Sequence, residues 1–75
     1  MDKRKVIINH HKMQMMLRQQ IIDSMKEELK VFESLAAKNP AEYVACFGLT
    51  QLIYNEEKIY KSMVDILKQL EAKEW

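Results

Sequence analysis

The segment Lys38-Asn39-Pro40-Ala41-Glu42 interrupts a chain whose remaining residues follow a helical pattern. Asn39 is a good N-cap residue, Pro40 suits the first helical position, and Glu42 completes a capping-box-like spacing. A helix must therefore end before Asn39 and another must begin there. The sequence predicts a single domain, residues 1–75, with helix 1 at about 2–38, a turn at 38–40 and helix 2 at about 40–73.

Helix 1 is predicted by apolar residues that repeat every seven positions, as on one face of a helix. The two rows of this stripe are Ile8, Met15, Ile22, Leu29 and Ala36, and His11, Arg18, Met25 and Phe32, flanked by Ile7, Ile21 and Leu35. Residues 6–8 are β-branched and would also suit a strand. The helix begins either with Asp2 as N-cap or near Asn9.

Helix 2 has a similar stripe, but its apolar face is wider. Its rows are Cys46, Ile53, Tyr60 and Leu67, and Leu49, Glu56, Met63 and Leu70, widened by Ala45, Leu52, Ile59 and Ile66. Three apolar positions in seven are typical of a helix that contacts more than one neighbour. An all-α antiparallel hairpin would leave half of each stripe in water.

A second copy would cover these exposed stripes and produce a two-fold symmetric four-helix bundle. We therefore expect a homodimer, although a heteromeric partner that supplies helices would satisfy the same requirement. The residues expected in the dimer core are Ile22, Met25, Leu29, Phe32, Leu49, Ile53, Tyr60, Met63 and Leu67.

Small residues gather around the predicted turn, and they predict a close approach of the two backbones there. They are Ala36, Ala37, Ala41, Ala45 and Gly48. A glycine inside a helix costs about 1 kcal/mol relative to alanine, so Gly48 requires a reason. Close packing is the first interpretation, and a kink or a contact surface with Phe47 and Tyr43 is the second.

Arg18 and Glu56 are charged residues within otherwise apolar stripes. The antiparallel register places them about one helical turn apart, so an ion pair is expected, within a chain or across the dimer. This polar core pair would fix the register. Its functional interpretation is a small-anion pocket completed by His11, Gln14 and Tyr60.

Several apolar side chains lie outside both stripes and are candidates for binding a protein partner: Met13, Met16, Leu17, Tyr43, Phe47 and Tyr54. Surplus apolar surface of this kind is typical of an interaction site. It would equally suit a broader core or a higher oligomer. The sequence therefore predicts a small interaction or regulatory module whose activity is docking.

The net charge of +1 is unevenly distributed, with a basic cluster of Lys3, Arg4, Lys5 and Lys12 near the N-terminus. Small hairpin dimers of the Rop type, which this chain resembles in predicted architecture, bind RNA on one bundle face. Nucleic-acid binding through the basic cluster is therefore the alternative function. Nucleic acid is a less expected partner than protein, because the cluster lacks interleaved aromatic residues.

Residues 10–16, His-His-Lys-Met-Gln-Met-Met, combine imidazole and thioether groups that could bind Cu(I). Methionine is also a common filler of irregular packing gaps, so we expect neither a metal nor any other cofactor. No catalytic residue is predicted. Residues 17–23 are similar to the start of the first helix of chorismate mutases, but that family holds its dicarboxylate with several cations and this stripe offers Arg18 alone.

The longest apolar runs are far too short to span a bilayer, so no membrane association is expected. A lone Cys46 without a second cysteine fits a reducing, cytoplasmic setting. The small size is typical of a bacterial or phage protein.

Overall fold

A computed structural model describes residues 2–75 and is all-helical, with two long helices packed against each other as an antiparallel hairpin. Helix α1 spans Lys3–Ala36, a 3₁₀ turn spans Pro40–Glu42, and helix α2 spans Tyr43–Ala72. The predicted all-α hairpin is confirmed. Met1, the first residue of the predicted domain, lies outside the described residues.

Helix α1 starts at Asp2, whose side chain accepts a hydrogen bond of 3.0 Å from the Arg4 N–H and acts as N-cap. The β-branched residues 6–8 are therefore helical. Their apolar side chains continue the heptad pattern, and this pattern outweighs their moderate preference for strands.

The corner contains one half of the predicted capping box. The Asn39 side chain accepts from the Ala41 N–H at 3.2 Å. The reciprocal bond from Glu42 is replaced, because the Asn39 N–H donates to the Leu35 carbonyl at 2.8 Å. This bond ties the turn to the end of α1, and Pro40–Glu42 form a 3₁₀ turn before α2 begins.

The hairpin is a single layer of two helices, with Cα extents of 56 × 18 × 10 Å. Its core is the seam between the helices, where Ile8, Met15, Ile22, Ala36 and Ile53 are buried. The smallest extent, 10 Å, leaves no room for a second layer of helices, whose axes would lie about 8–10 Å from the first. A layer this thin leaves both broad sides of its seam uncovered.

The open end of the hairpin, opposite the turn, is held by side chains that donate to C-terminal carbonyls of α2. Arg4 Nη2 donates to the Glu71 carbonyl at 3.0 Å, and Trp75 Nε1 donates to the Leu70 carbonyl at 3.1 Å. Lys73 Nζ lies 4.5 Å from the centre of the Trp75 ring. A cation at a helix C-terminus is stabilising, because the terminal carbonyls are otherwise unpaired.

Gly48 does not mediate the close backbone approach expected near the corner. Apart from its chain neighbours and the local helix backbone, a Cβ atom at this position would meet no atom of residues 2–75 within 4 Å. The prediction of close packing inside the hairpin was therefore wrong at this position. Within residues 2–75, neither helix has a stretch apolar and long enough to cross a membrane.

Candidate interaction surfaces

The seam contains the polar pair singled out in the sequence. Arg18 Nη1 donates to Glu56 Oε2 within the chain, and the two side chains are 32% and 25% exposed. The Arg18 Nε atom is buried and has no hydrogen-bond partner among residues 2–75. His11 Nε2 donates to the Met63 carbonyl at 2.7 Å. These contacts join α1 to α2 along one line and match the antiparallel register expected from the sequence.

One broad side of the layer is charged, and we call it the charged face. Lys26 Nζ lies 3.7 Å from Glu57 Oε1 and links the two helices on this side. A shallow groove runs along it, lined by Gln19, Ile22, Lys26, Glu57, Tyr60 and Lys61. The charged and amide groups here are suited to contact with water.

The opposite broad side is apolar. Each residue advances a helix by 100°, so Ile21 is rotated about 140° from Lys26 and Ile59 about 160° from Glu57. Because Lys26 and Glu57 meet on the charged face, Ile21 and Ile59 must lie on the other side. A depression in this side is lined by Leu17, Gln20, Ile21, Ser24 and Met25.

Eight large apolar side chains share this orientation, and we call them the apolar face: Ile7, Leu17, Ile21, Val31, Leu35, Leu52, Ile59 and Ile66. Each is 41–59% exposed. Spacings of four and ten residues in α1 and of seven residues in α2 keep them on one side of their helix along most of its length. The apolar face covers the same broad side of both helices.

The residues predicted for the dimer core lie in the seam of one chain. Ile22 and Ile53 are buried there, and the other seven are half-buried. In the sequence, two flanking rows only widen the apolar stripes: Ile7, Ile21, Leu35 and Leu52, Ile59, Ile66. The signal that distinguishes them is the contrast with the opposite flank, where Lys5, Lys12, Lys26 and Glu57 stand at the equivalent spacing.

The predicted partner-binding residues fall into separate places. Leu17 belongs to the apolar face, whereas Met13 and Met16 point outward from α1 and are 58% and 63% exposed. On α2, Tyr43, Phe47 and Tyr54 are exposed on the turn half of the helix. Tyr54 lines a groove with Thr50, Ile53, Glu57, Lys58 and Lys61. The aromatic residues thus lie closer to the charged face than to the apolar face.

The basic cluster lies at the open end. Lys3, Arg4, Lys5 and Lys12 are all exposed, and Arg4 is engaged with the Glu71 carbonyl. Among residues 2–75 there is no group of three His, Cys, Asp or Glu side chains placed to hold a metal ion.

Comparison of the chain with protein-family models, curated proteins and solved structures found no match.

Proposed function

We propose that this protein is a small, non-enzymatic interaction module that works as a homodimer, in which two hairpins cover each other's apolar face to form a four-helix bundle. The observation that carries the proposal is the uneven distribution of side chains: eight half-exposed large apolar residues share one broad side with the polar Gln14 and Glu28, and the Lys26–Glu57 ion pair lies on the other side. An unpartnered surface of this kind is typical of an interface.

The broad side of the hairpin is large enough for a stable dimer interface. The long and middle dimensions of the hairpin, 56 and 18 Å, give a footprint of about 1,000 Å². Stable protein interfaces bury about 800 Å² per partner. Two stacked hairpins therefore have enough surface without any further element.

The energetic balance points the same way. Full burial of a large apolar side chain is worth about 1.5–3 kcal/mol, so covering the remaining half of each gains roughly 1 kcal/mol. Sixteen such side chains in two copies gain on the order of 15 kcal/mol, against an association cost of about 4–15 kcal/mol. A second copy is a sufficient partner for this face.

The surface left outside the dimer would dock a further protein. Tyr43, Phe47 and Tyr54 lie away from the apolar face and would stay exposed after dimerisation. Tyrosine and phenylalanine are enriched at protein interfaces, because they bury large area at a low entropic cost. The groove beside Tyr54 supplies Lys58 and Lys61 as polar contacts at its edge.

Sedimentation equilibrium over a wide concentration range tests the dimer. We expect twice the mass of 9.0 kDa, together with a thermal midpoint that rises with protein concentration. A folded monomer throughout the range would refute the proposed function. A comparison of proteins retained from a lysate by the wild-type chain and by the Phe47→Ser/Tyr54→Ser variant then tests the docking surface.

Nucleic-acid binding is the second candidate, and one observation favours it. The half of the hairpin that contains the open end, residues 2–19 and 59–75, has eight Lys/Arg and four Asp/Glu. Replacing Lys3, Arg4 and Lys5 with Gln should abolish binding to RNA or heparin if this function is correct. Unchanged binding, with the helical circular dichroism preserved, would eliminate this candidate.

A further inference from the structure

We infer that the two copies stack with their turns at opposite ends of the bundle, so that α1 lies on α1 of the second copy and α2 on α2. The two-fold axis then runs across the bundle near Ile21 and Ile59. This inference rests on the proposed homodimer and specifies how its two apolar faces match.

The first support is the pattern of α1 along the interface. The row at seven-residue spacing reads Ile7, Gln14, Ile21, Glu28, Leu35. It is apolar, polar, apolar, polar, apolar, and therefore symmetric about Ile21. When α1 packs antiparallel on its own copy about that centre, Ile7 meets Leu35 and Gln14 meets Glu28. Each polar group then faces a polar group at the interface.

The second support is the corresponding row of α2, which reads Ala45, Leu52, Ile59, Ile66, Lys73. When α2 packs antiparallel on its own copy with Ile59 at the centre, Leu52 meets Ile66 of the second copy. Lys73 then lies at the edge of the interface, beside the small Ala45 of the second copy. The three large apolar residues of this row are thereby matched with one another.

One axis must pass through both centres, and the register allows this. Arg18 contacts Glu56, and Lys26 contacts Glu57. Along the long axis of the hairpin, residue 57 of α2 therefore lies beside the part of α1 between residues 18 and 26. Ile21 and Ile59 are therefore offset by about two residues, or roughly 3 Å along the bundle. Both centres also lie within two residues of the middle of their helices, Lys3–Ala36 and Tyr43–Ala72.

The other face-to-face dimer has both turns at the same end and stacks α1 on α2 of the second copy. With Ile21 beside Ile59, Gln14 would then lie near Ile66 and Glu28 near Leu52. Ile7 would lie near Lys73. Polar groups would be covered by apolar ones at both ends of the interface, which costs free energy unless other partners are found.

The charge distribution is an independent argument for opposite turns. The half nearer the turn, residues 20–58, has four Lys/Arg and seven Asp/Glu. The half at the open end has eight Lys/Arg and four Asp/Glu. The hairpin thus has a net charge of −3 at one end and +4 at the other. Stacking with opposite turns brings unlike ends together, and stacking with turns at the same end brings like ends together.

Pulsed electron spin resonance measures the orientation directly. A spin label is attached to Lys38→Cys at the turn in a Cys46→Ala background, and a matched sample has its label at Lys58→Cys near the middle of α2. We expect the turn labels to be separated by roughly 50 Å, the length of the 34-residue helix α1. The mid-helix labels should be much closer together, which shows that the labelled protein is dimeric.

The possible results separate the two proposals. A turn-to-turn distance below about 25 Å, the width of a four-helix bundle with 8–10 Å between axes, overturns the orientation and leaves the dimer. The absence of any dipolar coupling at both positions means a monomer and overturns the proposed function as well.

A charge-swap series provides a second test that needs no label. With opposite turns, Gln14→Lys faces Glu28 of the second copy and should tighten dimerisation by about threefold, and Gln14→Glu should weaken it by a similar factor. Adding Glu28→Lys to Gln14→Glu should restore the affinity. If Gln14→Lys and Gln14→Glu both weaken the dimer, Gln14 lies against apolar residues and the inferred orientation is wrong.

Discussion

The two broad faces of the hairpin are built by the same two helices at the same seven-residue spacing, yet they have opposite chemistry. On the charged face Lys26 reaches across to Glu57, and both side chains remain about half exposed. On the apolar face Ile21 and Ile59 occupy the equivalent flank and are exposed to a similar degree. The same exposed fraction is therefore favourable for the charged side chains and unfavourable for the apolar ones.

A single layer of two helices closes its seam but not its flanks, and the proposed dimer depends on the chemistry of these flanks. Water solvates the lysine and glutamate of the charged face at little cost. The isoleucines and leucines of the apolar face remain unfavourably hydrated until another surface covers them. The difference between the faces can be tested by equivalent substitutions on each.

The largest expected effect comes from a charge placed on the apolar face. Ile21→Glu would bring two carboxylates together near the proposed axis and should weaken dimerisation by more than about 100-fold. Met16→Glu is the matched control, because Met16 is a similarly exposed apolar residue of α1 that points outward. Sedimentation equilibrium should show a dimer for the control only, and equal dimer affinity for both variants would refute the assignment of the apolar face.

The next largest effect is expected on stability, from the Arg18–Glu56 ion pair in the seam. Glu56→Met should lower the free energy of unfolding by about 1–3 kcal/mol, because it leaves the Arg18 guanidinium without its partner in a partly enclosed site. The double variant Arg18→Met/Glu56→Met should regain most of that loss, since two methionines fill the seam without any desolvated charge. Urea denaturation of both variants provides the comparison.

The double variant also tests the register-setting role of the pair. If the pair fixes the register, the double variant should lose cooperativity or change its oligomeric state even when its stability is regained. An unchanged dimer with a sharp transition would show that apolar packing sets the register by itself.

Much of the hairpin could be predicted from sequence because its signals are local. Caps at Asp2 and Asn39, the proline at the turn and the heptad rows act within a few residues of one another. The in-chain contact of Arg18 with Glu56 follows from the same antiparallel register. These features need no knowledge of what surrounds the hairpin.

The candidate interface was harder to read from sequence, because it depends on which flanks of the two helices share a side. Ile21 and Lys26 flank the same stripe, and their separation onto opposite faces becomes definite only when the helices are paired. The aromatic residues Phe47 and Tyr54 were identified as surplus, but their distance from the apolar face is a property of the assembled hairpin.

A smaller effect on stability is expected at Gly48, which lies at the edge of the apolar face. Because a Cβ atom there meets nothing within the hairpin, Gly48→Ala should raise the free energy of unfolding by about 1 kcal/mol through helix propensity alone. Thermal unfolding at two protein concentrations measures it. A gain at low concentration that disappears at high concentration would show that Gly48 allows close approach of the second copy.

The smallest effect is expected on the charged face. Lys26→Ala removes an ion pair whose side chains are 51% and 45% exposed, so it should change the free energy of unfolding by no more than about 0.5 kcal/mol. The dimer affinity should not change, because Lys26 points away from the apolar face. Isothermal titration calorimetry, in which concentrated wild-type or variant protein is diluted into buffer, measures that affinity. A clear loss of affinity in Lys26→Ala would mean that the charged face also contacts the second copy, and the contrast between the two faces would then no longer identify the interface.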